Sequence, residues 1–341
     1  MGGMRAAITA LAAGREPDAE ALRAAFDALM DGQADPVETG GFLLALAAVG
    51  ESPQTLRVGA EAMRARMGRI TAPDGAIDTC GTGGDARGTW NISTAAALVA
   101  AGAGAVVAKH GNKAASSKSG SAEVLEALGV NLTAGPDRIE RSLKEARVGF
   151  LFAPAHHGAV RHVGPARKIL GVRTVFNLLG PLSNPAGARR QLLGVFDRAW
   201  LLPMAEALRD LGAETALIVH GADGLDEITT TGITHAAELH ADGTITQYEI
   251  TPEDAGLPRA ALEDLKGGEP SENAAAIRAL LDGAPGPYRD IVLINAAAAL
   301  RLAGLAADLK EGASLAAAAI DDGRAKAALD QLAAISQGTP S

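Results

Sequence analysis

Two glycine- and serine-rich segments stand a short distance apart in this chain of 341 residues, and each follows a short run suited to a β-strand. The first segment, GTGGDARGTWNIST, covers residues 81–94, and the second, KHGNKAASSKSGSAE, covers residues 109–123. The runs before them, 76–80 and 105–108, are predicted strands, and apolar helical sequence follows each segment. A strand, a glycine loop and a helix, repeated in this order, are typical of a layered α/β architecture.

Both segments have the chemistry of an anion-binding loop. Glycines such as Gly81 and Gly84 let the backbone turn tightly and approach a ligand closely. Asn91, Ser93 and Thr94 precede an alanine-rich run, so they are predicted to cap the N-terminus of a helix. Free N–H groups and a partial positive charge attract anions to such a terminus. Neither a P-loop motif nor a Rossmann fingerprint with its distant acidic residue is present.

A third motif is acidic. The sequence HGADGLDE at residues 220–227 follows a predicted strand at 215–220. Adjacent Asp226 and Glu227 can both face a ligand only from a loop, because a strand directs neighbouring side chains to opposite faces. Taken alone, the pair fits a solvated acidic loop. Beside two phosphate-binding loops it favours a Mg²⁺ site, since this hard cation prefers oxygen ligands.

Cationic side chains cluster in the middle of the chain. His156 and His157 precede a basic stretch at residues 161–168. Neither a cysteine nor a third histidine stands at a suitable spacing, so capping or pocket-lining roles are favoured over metal binding for the histidine pair. Arg167 is able to hold a carboxylate through two parallel hydrogen bonds, but spacing alone does not select it over Arg161, Arg173 or Lys168.

Composition narrows the class of protein. The length fits two domains. A net charge of −9 and a pI near 5.3 argue against a general nucleic-acid binder. The single cysteine, Cys80, excludes internal disulfides and fits a cytoplasmic protein, with a buried packing role favoured over a nucleophilic one. We expect no membrane segment, because no apolar run is long enough to span a bilayer.

Residues 1–72 are predicted to form a small helical domain, and residues 73–341 a large α/β domain. Helices are expected at 19–30, from Asp35-Pro36 to Gly50, and from Ser52-Pro53 onward, and the second begins with a sequence that resembles a capping box formed by Asp35 and Glu38. The first four residues are interpreted as a start-site extension. Further elements are predicted as strands at 150–153 and 174–176, helices at 136–146 and 199–211, a hairpin at 235–250 turning at Asp242-Gly243, and alanine-rich helices in the last third.

Together these segments resemble the anthranilate phosphoribosyltransferase family. The two glycine-rich segments, the stretch RTVFNLLGPLSNPA and HGADGLDE carry the resemblance, which extends over nearly the whole chain. The GTGGD motif alone is less specific, because pyrimidine nucleoside phosphorylases share it. The resemblance implies a small N-terminal helical domain hinged to a large α/β domain, whose central mixed sheet is flanked by helices, in a homodimer. A segment near residues 163–181 would return to the small domain.

The resemblance also implies ligand contacts at named positions. Phosphoribosyl pyrophosphate would be bound by Gly81, Gly84, Asp85, Thr89, Asn91, Ile92, Ser93, Thr94, Lys109, His110, Gly111, Asn112, Lys113, Ala114, Ala115, Ser116, Ser117 and Ser121. Anthranilate would be bound by Gly81, Asn112 and Arg167, and Mg²⁺ by Ser93, Asp226 and Glu227. The chain departs from the family pattern at Ala86, Trp90, Lys113 and Gly158.

The implied activity is that of a pentosyltransferase. The anthranilate amine would attack C1 of the ribose with inversion, giving N-(5-phosphoribosyl)anthranilate and pyrophosphate, the second step of tryptophan biosynthesis from chorismate. We expect no protein nucleophile and no strong base, because an aniline-type amine is already neutral, so positioning and electrostatics would carry catalysis. The alternatives are a pyrimidine nucleoside phosphorylase and a catalytically silent nucleic-acid binder, and the acidic charge balance disfavours the second.

Overall fold

The chain begins with four helices. The computed structural model describes residues 2–85, 87–114 and 118–338. These helices are α1 (Gly2–Ala12), α2 (Ala19–Met30), α3 (Pro36–Val49) and α4 (Pro53–Arg64). The predicted capping box at Asp35 is present, with Pro36 in the first turn of α3. Helix α1 starts at Gly2 and buries Met4 against the neighbouring helices, and the interpretation of the first residues as an extension stays a prediction.

A seven-stranded sheet follows, in the order β3-β2-β1-β4-β5-β6-β7. The strands are β1 (Ile77–Gly81), β2 (Val107–Gly111), β3 (Val148–Phe152), β4 (Arg190–Gly194), β5 (Thr215–Gly221), β6 (Thr234–Leu239) and β7 (Ile245–Ile250). The first five strands are parallel, and the hairpin of β6 and β7 extends the sheet antiparallel, as predicted. Because β2 and β4 lie on opposite sides of β1, the strand order reverses beside β1.

Helices cover both faces of the sheet. They are α5 (Ile92–Gly102), α6 (Ser121–Ala127), α7 (Pro136–Glu145), α8 (Ala153–His156), α9 (Gly164–Leu170), α10 (Phe176–Leu179), α11 (Leu201–Asp210), α12 (Pro270–Leu281), α13 (Pro287–Leu302), α14 (Leu309–Asp321) and α15 (Arg324–Gln337). The alanine-rich α5 packs against α13, α14 and α15, since small side chains allow helices to approach closely. No helix in the described ranges is long and apolar enough to cross a membrane.

A second hydrophobic cluster joins the N-terminal helices to the opposite face of the sheet. It contains Phe26 and Leu43 from these helices, Leu193 of β4 and Ile218 of β5. Residues of the 163–181 segment, including Leu179, belong to the same cluster, so this segment packs with the N-terminal helices. The predicted division of the chain at residue 72 stays a prediction.

Two predicted strand positions need correction, and one strand was missed. The extended segment predicted at residues 174–176 is wrong: Asn177 accepts a hydrogen bond from the Thr174 backbone N–H, and α10 begins at Phe176. The strand predicted at 105–108 starts two residues later and continues to Gly111, because its backbone pairs with β3 up to that residue. The central strand β4 was not predicted.

Candidate active site

The ends of β1 and β4 mark the point where the strand order reverses, which is where open α/β sheets bind ligands. Gly81 and Gly194 are paired neighbours at these ends. A Cβ atom on Gly194 would lie 1.5 Å from the carbonyl oxygen of Asp226, and one on Gly81 would lie 2.5 Å from the Asp226 carboxylate. The loop after β5 therefore crosses the strand ends only because both positions are glycine.

The acidic pair lies in this loop, as predicted, and both side chains turn toward the first glycine-rich segment. Asp226 Oδ2 accepts a hydrogen bond of 2.9 Å from the Gly83 backbone N–H. Glu227 Oε1 accepts one of 3.0 Å from the Ser93 backbone N–H near the start of α5. The two carboxylates thus tie the β5 loop to the loop after β1.

Burial and neighbouring negative charge raise the pKa of both carboxyl groups of the acidic pair. Burial, followed by the nearby Asp85 carboxylate, raises the pKa of Asp226 to about 7. Burial, followed by Asp226, raises the pKa of Glu227 to about 8. Two carboxylates in this setting favour either a proton or a cation, because their charges repel each other where water screens them poorly. An oxygen donor set of Asp226, Glu227 and the Ser93 hydroxyl suits a hard divalent cation.

Lys109 lies beneath the acidic pair rather than on the surface. Its side chain is only 3% exposed. Nζ donates to the Thr79 carbonyl at 2.5 Å and to Ser93 Oγ at 3.3 Å. Burial lowers the pKa of Lys109, and the buried carboxylate of Asp78 opposes this shift. The ammonium group therefore holds Ser93 and partly balances the surrounding carboxylates.

The floor of the site is a buried polar cluster. Asp78 accepts hydrogen bonds from the His110 backbone N–H at 3.0 Å and from Gln191 Nε2 at 3.3 Å. Burial raises the pKa of Asp78. The same Gln191 amide lies 3.1 Å from Cys80 Sγ, and burial raises the pKa of this thiol, as expected for a packing residue.

The remainder of the first glycine-rich segment lies along the edge of the site. Gly84 has a φ of +82° and its carbonyl accepts a 2.6 Å hydrogen bond from Arg173. Asp85 is half-buried, with its pKa raised mainly by burial. Thr89 forms a bridge with Lys266, outside the main sheet.

The predicted N-cap position of α5 is confirmed for Asn91 and is wrong for Ser93 and Thr94. The helix begins at Ile92, so Ser93 and Thr94 lie inside its first turn. Asn91 occupies the capping position, but its side chain makes no capping hydrogen bond. Instead its amide group bonds to Ser119 and to Asn273, a partner 182 residues away in sequence.

The second glycine-rich segment folds back onto the start of α6. Ser121 Oγ donates to the Asn112 carbonyl at 3.2 Å, and the Lys113 N–H donates to the Asn112 side chain at 2.7 Å. The Glu123 carboxylate accepts from the backbone N–H groups of Ala114 and Gly120, each at 3.1 Å. Predicted contacts at Ala115, Ser116 and Ser117 lie outside the described residues.

Three buried histidines lie close together: His110 belongs to the second glycine-rich segment, and His156 and His157 lie at the end of α8. His157 Nε2 lies 3.2 Å from His110 Nε2, and His156 Nδ1 lies 3.1 Å from the Gly68 carbonyl. Burial lowers the pKa of His110 to about 3 and that of His157 to about 4. These neutral rings fit the predicted pocket-lining role.

Two of the candidate cations for a carboxylate, Arg167 and Arg173, differ in their environment. Arg173 is engaged by the Gly84 carbonyl, and its Cζ lies 4.1 Å from the Phe196 ring centroid. Arg167 on α9 has its Cζ 5.6 Å from the Phe176 ring centroid, and no carboxylate in the described part of the chain pairs with it. Burial lowers the pKa of Arg167. Of the two, Arg167 is the one whose guanidinium remains available to an incoming carboxylate.

Sequence reasoning missed several residues that shape the site. Gly194 was not singled out because β4 was not predicted. Asn295 of α13 is fully buried and holds the backbone immediately after the acidic pair, accepting from the Ile228 N–H at 3.0 Å and donating to the Ile228 carbonyl at 2.8 Å. A polar residue within the apolar, alanine-rich sequence of α13 was the available signal.

Comparisons with known proteins agree with this geometry. Residues 5–67 match the model "Glycosyl transferase family, helical bundle domain", and residues 74–326 match "Glycosyl transferase family, a/b domain". The chain is 66% identical over 331 residues to the anthranilate phosphoribosyltransferase of Maricaulis maris, covering 97% of each protein. The chain belongs to the anthranilate phosphoribosyltransferase family. The resemblance and the fold class expected from the sequence are thereby confirmed, and the phosphorylase alternative is not supported.

Solved structures of this family share the fold over the whole chain. The anthranilate phosphoribosyltransferase of Thermus thermophilus is 46% identical with a TM-score of 0.91, covering 99% of this chain and 100% of that one. The Saccharomyces cerevisiae enzyme, in complex with PRPP and Mg, is 27% identical with a TM-score of 0.91, covering 99% of this chain and 98% of that one. Mg²⁺ and phosphoribosyl pyrophosphate therefore occur together in a relative of this chain.

Proposed function

We propose that this chain transfers the phosphoribosyl group of phosphoribosyl pyrophosphate to the amine of anthranilate, in tryptophan biosynthesis. The observation that carries the proposal is the joining of the β5 loop to the first glycine-rich segment through Asp226 and Glu227. This junction combines backbone N–H groups, a helix N-terminus and paired carboxylates at one end of the sheet. Such a combination suits a magnesium-bound polyanion.

The first glycine-rich segment and the second form the proposed anion site. The start of α5 and the loop before α6 supply N–H groups, and Lys109 supplies positive charge below them. Fixed donors that require no reorganisation stabilise the charge developing on departing pyrophosphate. We propose contacts at the positions implied by the family resemblance, including Ala115, Ser116 and Ser117.

Asp226, Glu227 and Ser93 are the proposed magnesium ligands. The Asp85 carboxylate lies near enough to raise the pKa of Asp226, but no cluster of three or more His, Cys, Asp or Glu side chains suited to a metal is found among residues 2–85, 87–114 and 118–338. Mg²⁺ commonly binds through one or two carboxylates, water and substrate phosphates, so the donor set fits. When bound, the ion would supply positive charge to the pyrophosphate.

Anthranilate is proposed to bind beside Gly81 and Asn112, with its carboxylate on Arg167. The buried, neutral His110 and His157 would provide a poorly hydrated wall for the aromatic ring. The residues thereby orient the neutral amine toward C1 of the ribose and exclude water from the activated sugar. No protein base is required to generate the nucleophile.

A homodimer is the proposed assembly. Val37 and Leu44 lie one above the other on α3 and are 82% and 50% exposed. Ile169 of α9, which packs against α3, is 86% exposed, and the following Val172 is 51% exposed. Apolar side chains grouped in this way mark a protein interface. Light scattering of the wild-type chain and of Ile169→Asp tests this assignment, because the charged variant should be monomeric.

The reaction is tested by incubating the chain with anthranilate, phosphoribosyl pyrophosphate and Mg²⁺. The fluorescence of anthranilate should disappear, and pyrophosphate should be released in equal amount. Omission of phosphoribosyl pyrophosphate is the control. Unchanged fluorescence with folded protein and all three components present would refute the proposed activity.

We also propose a cytoplasmic location from the single buried thiol of Cys80.

A further inference from the structure

A buried asparagine connects the two glycine-rich segments. Asn273 lies in the first turn of α12 and is only 1% exposed. Its Nδ2 donates a 2.8 Å hydrogen bond to Asn91 Oδ1. Asn91 Oδ1 also accepts from Ser119 Oγ at 3.1 Å, and Asn91 Nδ2 donates to the Ser119 carbonyl at 3.2 Å. Asn91 belongs to the first segment and Ser119 to the second, so Asn273 braces the junction between them.

The orientation of both amide groups follows from one fixed donor. The backbone N–H of Gly268 donates to Asn273 Oδ1 at 2.8 Å, and a backbone N–H cannot accept. The other end of the Asn273 amide must therefore be its NH₂ group, which faces Asn91. Because two donors converge on Asn91 Oδ1, the Asn91 NH₂ group is directed to the opposite side. With the Asn273 amide reversed, its NH₂ group would face the Gly268 N–H and its oxygen would face Asn91 Oδ1, so donor would meet donor and acceptor would meet acceptor.

Gly268 is itself held in place by the first glycine-rich segment. The neighbouring Gly267 N–H donates to the Gly88 carbonyl at 2.9 Å, and the Trp90 N–H donates to the Leu265 carbonyl at 3.0 Å. A Cβ atom on Gly267 would lie 2.7 Å from the Thr89 carbonyl oxygen, so the two backbones are in direct contact. The donor that sets the amide orientation is therefore anchored to the segment on which Asn91 stands.

We infer that Asn273 is a positioning residue for the anionic substrate, a role that rests on the proposed function. It holds the Asn91 amide so that N–H rather than C=O is presented to phosphoribosyl pyrophosphate. Asn91 has two N–H bonds, one of which is directed to the Ser119 carbonyl. The second meets no acceptor among residues 2–85, 87–114 and 118–338, and we assign it to a phosphate oxygen. A reversed amide would present a carbonyl oxygen, which repels that anion.

Asn273→Asp tests the orientation, because it preserves shape and still accepts from the Gly268 N–H. Its carboxylate replaces the donor to Asn91 with an acceptor and forces the Asn91 amide to reverse. Asn273→Leu removes the donor without opposing the present orientation, since the Ser119 hydroxyl still donates to Asn91 Oδ1. Ile277→Val, one turn further along α12, removes a buried methyl group away from the junction and is the matched control.

Binding of phosphoribosyl pyrophosphate with Mg²⁺ is measured by calorimetry, together with KM for both substrates and the melting temperature. We expect Asn273→Asp to weaken this binding at least about tenfold, the loss expected for a hydrogen bond to a charged group. Asn273→Leu should weaken it less, and KM for anthranilate should change less than about threefold in both variants. Ile277→Val should bind as the wild type does.

Unchanged affinity in Asn273→Asp, or a greater loss in Asn273→Leu than in Asn273→Asp, would overturn the inference. A parallel loss for both substrates that follows the melting temperature would also overturn it, since it would indicate a purely structural residue. The binding measurement requires no turnover. A wild-type chain that binds the sugar phosphate but leaves anthranilate unconsumed would refute the proposed reaction, while the ranking of the two variants would still decide the role of Asn273.

Discussion

Replacing Gly194 by alanine should displace the acidic loop from the strand ends. The added Cβ would lie 1.5 Å from the Asp226 carbonyl oxygen, whereas non-bonded atoms prefer roughly 3.5 Å. The backbone at Asp226 must therefore move by about 2 Å, because the clashing atoms of Asp226 belong to its backbone and no side-chain rotation can relieve the clash. The movement breaks the hydrogen bonds from Gly83 to Asp226 and from Ser93 to Glu227.

The expected effect is larger on catalysis than on stability. A misplacement of about 1 Å costs on the order of 10²-fold in rate, so kcat should fall at least about 10²-fold. The concentration of Mg²⁺ needed for half-maximal rate should rise. Overpacking costs about 1–3 kcal/mol, which lowers Tm by only several degrees in a chain of this size. Steady-state rates as a function of Mg²⁺ and thermal unfolding measure the two effects.

Gly232→Ala is the matched control. Gly232 lies between β5 and β6, its φ is not positive, and a Cβ atom added there would have no other atom within 4 Å. This variant should retain wild-type turnover and metal dependence. If Gly194→Ala also keeps wild-type turnover and an unchanged Mg²⁺ curve, then the contact between β4 and the acidic loop does not position the metal ligands, and the reasoning fails.

Three further variants probe other parts of the site. Asp226→Asn combined with Glu227→Gln should strongly lower turnover and raise the Mg²⁺ requirement without unfolding the chain, as rates against Mg²⁺ will show. Arg167→Ala should raise KM for anthranilate by roughly one to two decades and leave KM for phosphoribosyl pyrophosphate nearly unchanged, because a hydrogen bond to a charged group is worth about 1.5–3 kcal/mol. His157→Gln should reduce the loss of stability in acid, measured by urea unfolding. Unfolded histidine has a pKa near 6.5, whereas burial lowers the folded pKa of His110 to about 3 and that of His157 to about 4. Between these values the unfolded state binds more protons than the folded state. Each ring therefore lowers the free energy of unfolding by up to about 1.4 kcal/mol per pH unit as the pH falls.

Each of these predictions has an outcome that contradicts it. An unchanged Mg²⁺ curve in the double variant would remove the metal assignment. Equal weakening of both substrates in Arg167→Ala would indicate a role in the fold, and Arg167→Lys should already be damaging if two parallel hydrogen bonds are required. An acid dependence in His157→Gln equal to that of the wild type and of the partly exposed control His240→Gln would show that the buried rings do not set it.

Local signals explain which parts of the fold were predictable. The capping box at Asp35 and the turn at Asp242-Gly243 depend on residues close in sequence, and both elements have the predicted form. Strand β4 lacks such a signal, because its polar residue Gln191 is buried in the sheet by contacts with Asp78 and Cys80. Its residue type alone favours exposure.

The candidate site shows the same limit. The pairing of Asp226 with Glu227 in a loop was predictable, since strand geometry excludes a common face for neighbours. The direction of the Asn91 side chain was not, because an isolated N-cap asparagine would bond to its own helix. Asn273, 182 residues away in sequence, hydrogen-bonds to the Asn91 amide instead, and no local sequence pattern predicts this contact.

The buried thiol of Cys80 makes this chain convenient for spectroscopy. Maleimide and methanethiosulfonate reagents require an accessible thiolate, and Cys80 is both enclosed and held in its protonated form by its raised pKa. Because the sequence contains no other cysteine, engineered cysteines can be labelled in the otherwise native protein. Pairs of spin labels or fluorophores on α2 and α14 would then report distance changes between the N-terminal helices and the helices around α13 while substrate binds.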